Sequence, residues 1–62
     1  MNVSFKFSLG QVVKSDLGIM GRIIWLGVEE SGKLNYSVEW LASDGDIKAR
    51  WFEESRLTEV VS

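Results

Sequence analysis

The sequence predicts an all-β fold: a small closed barrel of five short antiparallel strands, with a single 3-10 turn before the last. Three observations carry this. Apolar and polar residues alternate with period two along much of the chain, the spacing of a strand with one buried face, and no stretch holds a helical period. Turn residues break the alternation at Glu30-Ser31-Gly32-Lys33 and Ser43-Asp44-Gly45-Asp46. Closure into a barrel would also hide the edges that an open sheet of this size exposes.

In chain order, Val3, Phe5, Phe7 and Leu9 alternate with Asn2, Ser4, Lys6 and Ser8, which reads as a half-buried first strand or an extended arm lying over the barrel, residues 1–9. Leu9-Gly10 bends the chain into Gln11-Val12-Val13-Lys14, and SDLGIMG reads as a loop. Asp44-Gly45 as a two-residue hairpin loop pairs Ala42 with Ile47, Trp40 with Ala49, Glu39 with Arg50 and Val38 with Trp51. The Glu39–Arg50 pair would contribute roughly 0.2–1 kcal/mol.

A turn centred on Ser31-Gly32 pairs Gly27 with Tyr36, Trp25 with Val38 and Ile23 with Trp40, leaving space at Gly27 for the Tyr36 ring. Both registers place Ile23, Trp25, Tyr36, Val38, Trp40, Ala42, Ile47, Ala49 and Trp51 on one inner face. Phe52 to Leu57 then forms the 3-10 turn and Thr58 to Val61 the last strand.

Composition narrows the functions. The 62 residues make one domain, 1–62, whose small core buries only about 60% of the surface of the unfolded chain. Cysteine and histidine are both absent, so no disulfide or ordinary structural zinc site can form, and no cofactor or metal is expected. Small domains without such staples often self-associate. A net charge of -2 argues against nucleic acid as a partner. No apolar run could span a bilayer and the first residues lack signal-peptide character, so a soluble cytoplasmic protein is expected.

From Phe7 to Val60 the order F-x-x-G-x-x-V, G-x-I, Y-x-V-x-W and W-x-x-E-S-R-L resembles the chromo-barrel and Tudor group of Src-homology-3-like small barrels. That resemblance implies an aromatic cage reading methylated lysine by cation–π attraction, with Tyr36, Trp40 and Trp51 as its walls and Trp25 beside them. Over the same span the chain is similar to the type II trimethoprim-resistant dihydrofolate reductases. Their Val-Gln-Ile-Tyr active-site stretch is replaced here by Ile47-Lys48-Ala49-Arg50, so the likeness implies the fold without the reaction.

Aromatics at alternate positions equally serve a tiny core, and the two roles are compatible at a barrel mouth. On the other face of the meander Arg22, Ile24, Leu26, Val28 and Leu41 stand where water-covered positions should be polar, which marks an interface with a second copy or cover by residues 3–9. Asp44, Asp46, Glu53 and Glu54 read as solvated turn carboxylates, too few for a calcium loop. Gly10, Gly18 and Gly21 match no phosphate-cradling motif. Lys14, Arg22, Lys48 and Arg50 are interspersed with acids.

The expected function is therefore a non-enzymatic protein-binding or self-assembly module, a homo-oligomer through that second face. The alternative is an aromatic pocket reading a cation, with Glu39, Asp44 or Asp46 attracting it; a reductase-like enzyme is disfavoured.

Overall fold

A computed structural model describes residues 3–61; Met1 and Asn2 of the expected arm, and Ser62, lie outside the described residues. Five antiparallel strands form one sheet: β1 (Val12–Ser15), β2 (Met20–Val28), β3 (Leu34–Leu41), β4 (Ile47–Glu53) and β5 (Leu57–Glu59), in the order β4-β3-β2-β1-β5. A 3-10 turn, Glu54–Arg56, separates β4 from β5 as the sequence predicts. No ladder joins β4 to β5, so the sheet is open, with these two strands as its edges.

One turn design serves all three hairpins. In Ser15-Asp16-Leu17-Gly18, Glu29-Glu30-Ser31-Gly32 and Ala42-Ser43-Asp44-Gly45 the glycine N–H donates to the carbonyl of the first residue. The first residue's N–H in turn donates to the carbonyl following the glycine, on Ile19, Lys33 and Asp46. Each glycine has positive φ, +83°, +92° and +88°, and among the described residues no other residue type does. This is the three-residue hairpin loop, a right-handed turn followed by one left-handed residue. The expected SDLGIMG loop is thus itself a hairpin turn, fastened by the buried Ser15 Oγ, which accepts from the Leu17 and Ile19 N–H groups.

A three-residue loop shifts register by one relative to a two-residue loop, and that shift corrects two expectations. Leu41 faces Ile47, Trp40 faces Lys48, Glu39 faces Ala49, Val38 faces Arg50 and Tyr36 faces Phe52, so the expected Glu39–Arg50 pair does not form. Gly27 faces Asn35 rather than Tyr36, and Trp25 faces Ser37 rather than Val38. A bulge at Ile24 then shifts β2 once more, leaving Ile23 opposite Val38. Ile23, Tyr36 and Val38 keep the inward positions expected of them, Phe52 and Leu26 join them, and Trp25, Ile47, Ala49 and Trp51 turn outward.

The core is Phe7, Val13, Ile23, Tyr36, Val38, Phe52 and Leu57, with Phe5, Ile19 and Leu26 packed against it. Residues 3–11 form no strand. They cross the core, with Phe7 buried in it and Phe5 packed against it. Phe5 and Phe7 meet the Tyr36 ring edge-on at 5.8 and 5.4 Å between centroids. The Phe7 N–H donates to the Tyr36 hydroxyl (3.3 Å), that hydroxyl donates to Glu54 Oε2, and the same oxygen accepts from the Lys6 N–H (3.1 Å). The arm is therefore fastened to the 3-10 turn through one buried phenol. Burial first, then the Glu54 carboxylate, hold the Tyr36 hydroxyl above the ordinary phenol range.

The other end of the 3-10 turn is tied to the first hairpin. The Arg56 guanidinium makes two 2.9 Å bonds to the Asp16 carboxylate, and the Asp16 N–H donates to the Arg56 carbonyl at 2.9 Å. Hydrogen bonding to Arg56 lowers the pKa of Asp16. A carboxylate lowered in the folded state contributes stability above its unfolded value, near 3.9, and loses it as pH falls through the folded value. Acid unfolding followed by circular dichroism should therefore lose part of its slope in Asp16→Asn. Tyr36 has the opposite sign: its contribution is complete below about pH 10 and is lost as pH rises through its raised value.

Candidate functional site

The site is the outer face of the meander formed by β2, β3 and β4. Residues directly opposite in a ladder point to the same side, so Trp25, Ser37 and Trp51 form one row across the three strands. Below it run Arg22, Glu39 and Ala49, then Leu41 and Ile47; above it run Gly27, Asn35 and Glu53. Four large apolar side chains on this face are open to solvent: Trp25 (63%), Trp51 (52%), Leu41 (68%) and Ile47 (63%).

Local sequence explains the arrangement. Ser37 is small enough to sit buried between the strands that carry the two tryptophans. Gly27 has no Cβ, and the far edge of the Trp51 indole occupies that space; a Cβ there would stand 3.1 Å from the ring. The ring thus leans back over β3 to β2. Beside it an open depression of about 400 Å³ is lined by Gly27, Val28, Glu29, Asn35 and Trp51. Glu29 there accepts a 2.6 Å bond from the Asn35 amide, and Lys33 pairs with Glu53 at 3.3 Å along the rim.

The residues expected to share a ligand pocket are divided between the two sides of the sheet. Trp25 and Trp51 are together on the outer face, whereas Tyr36 is fully buried on the inner side with Phe5 and Phe7 edge-on to it. Trp40 is half-buried on the inner side, opposite Lys48. Of the expected interface set, Arg22 and Leu41 lie on the outer face and are exposed. Leu26 packs against the core, Val28 shares its side of β2 at the rim of the depression, and Ile24 is half-buried at the bulge.

On the outer face, Trp25, Ile47, Ala49 and Trp51 stand where the sequence places inward residues. The signal that finds them is the glycine of each hairpin read as the last residue of a three-residue loop. Among the described residues no group of three His, Cys, Asp or Glu side chains is gathered for a metal ion, and no helix is long and apolar enough to cross a membrane. Comparisons with protein-family models, with curated proteins and with solved structures return no match.

Proposed function

We propose that this chain is a non-enzymatic self-assembly module, a Src-homology-3-like small barrel in its open form, that pairs with a second copy through the outer face of β2, β3 and β4. The observation that carries the reading is the joint exposure of Trp25, Leu41, Ile47 and Trp51 on one side of one sheet. Contiguous apolar patches larger than a few hundred Å² mark interaction surfaces.

The face also complements itself. Arg22 and Glu39 lie opposite each other beside Leu41, so a twofold axis through the patch offers each partner's cation to the other's carboxylate. A core of seven buried hydrophobic residues leaves a domain of this size with little stability to spare, and dimer burial would supplement it. The strand order β4-β3-β2-β1-β5, with the 3-10 turn before β5, supports the small-barrel assignment.

Sedimentation equilibrium at micromolar concentration should give a mass above the 7.0 kDa of one chain. Leu41→Asp, at a position already 68% exposed, should leave the folded spectrum intact and return the mass to that of a monomer. A wild-type protein that is monomeric throughout would overturn the reading.

A further inference from the structure

We infer that the free edge of β4 accepts one further strand from a partner protein, an extended segment in which acidic and apolar residues alternate. β4 is a seven-residue edge strand, long for a domain of this size, and its first five residues, Ile47 to Trp51, are all exposed. The Ala42 N–H bonds to the Asp46 carbonyl. Hydrogen-bonded pairs recur every second position in an antiparallel ladder, so Lys48, Arg50 and Phe52 spend their backbone groups on β3. Ile47, Ala49 and Trp51 then turn their N–H and C=O groups away from it. Among the described residues no backbone group from a loop or turn bonds to them. Such an edge is a template for strand addition.

The side chains say what kind of strand fits. Residues opposite one another share a face. A segment lying along β4 would therefore place every second residue beside Lys48 and Arg50, and the intervening ones beside Ile47, Ala49 and Trp51. Carboxylates suit the first set and aliphatic side chains the second. Lys48 meets Asp44 at 3.5 Å and Arg50 stands 5.5 Å over the Phe52 ring, and both side chains remain exposed to an incoming segment.

Paired about its central residues, a second copy of β4 fits poorly. Antiparallel pairing about Arg50 opposes the two Arg50 side chains, and pairing about Ala49 opposes Lys48 to Arg50 on both sides of the axis. Like charges directly opposite destabilise a ladder. The edge therefore serves a different partner from the outer face, although Ile47, Ala49 and Trp51 contribute side chains to both.

The test uses the full chain and the acetylated, amidated heptapeptide Val-Glu-Val-Glu-Val-Glu-Val, followed by amide hydrogen exchange and tryptophan fluorescence. Saturable binding that slows exchange at the Ile47, Ala49 and Trp51 amides is expected. The double variant Lys48→Glu with Arg50→Glu should weaken binding by about tenfold or more. Ala49→Pro removes an N–H that faces solvent and spares the ladder to β3, so it should abolish binding. The proposal is overturned by absence of saturable binding, by equal binding of the lysine counterpart Val-Lys-Val-Lys-Val-Lys-Val, or by protection confined to amides outside β4. If Ala49→Pro fails to fold, the charge-reversed variant alone decides.

Discussion

Phe52→Ala should unfold this protein or come close to it, whereas Trp51→Ala should leave its stability nearly unchanged. Phe52 is 1% exposed, faces Tyr36 across the ladder, and carries the guanidinium groups of Arg50 and Arg56 over its ring at 5.5 and 5.3 Å. Truncating a buried phenylalanine costs about 3–5 kcal/mol, from lost transfer energy and the cavity left behind. That is most of the stability a domain of this length has to lose. Trp51 is larger, but 52% of it is in water and its ring rests on Gly27 rather than in the core.

Removing the Trp51 indole should therefore cost no more than about 1 kcal/mol in the monomer, the scale of a surface substitution with some packing. Its effect should fall on assembly, because the ring is part of the outer face. Urea unfolding of the two variants by circular dichroism, beside their sedimentation masses, separates these roles. The opposite ranking, with Trp51 indispensable and Phe52 neutral, would restore the two-residue-loop register and dismantle the outer face.

That contrast marks where the sequence is readable and where it is not. The strands, the 3-10 turn and the central meander are visible because period-two alternation and turn residues act locally. Tyr36, Val38 and Ile23 are legible as core for the same reason. Register is a different matter. Asp44-Gly45 suits a two-residue loop with two left-handed residues, and equally a three-residue loop in which Gly45 alone is left-handed. Asp44 stays out of the left-handed region, its carboxylate accepting from the Asp46 N–H at 3.0 Å, and that choice exchanges every inward side chain of β4 for an outward one.

The bulge is hidden for a second reason. Ile23-Ile24-Trp25-Leu26 is apolar at every position, so alternation cannot show that the phase changes there. The two hairpins agree with each other under either loop length, because a two-residue loop at each would shift both by one residue in the same direction. The outer face is accordingly the part of the molecule least legible from sequence. Its tryptophans look like core residues until the loop lengths are known.

Gly21→Ala should be the most damaging conservative change in the chain, and Gly27→Ala a mild one. Gly21 lies in the middle of the sheet, opposite the fully buried Val13 of β1. A Cβ there would stand 2.7 Å from Val38 Cγ1 and 3.0 Å from the Glu39 carbonyl carbon, and closer still to the Glu39 oxygen. Two of these three atoms are backbone, so strand β3 itself would have to move. Overpacking of that kind costs about 1–3 kcal/mol or more.

Losing glycine's freedom in the unfolded chain works the other way but contributes only about 0.4–1 kcal/mol. Gly21 does not have positive φ, so backbone strain adds nothing and the penalty is steric alone. At Gly27 the obstructing atoms belong to the exposed Trp51 ring, which can swing aside. Urea midpoints should therefore fall steeply for Gly21→Ala and little for Gly27→Ala, while only the latter shifts the tryptophan emission toward that of a more solvated indole. Equal midpoints would mean that β2 and β3 do not approach each other at Gly21 as closely as the fold requires.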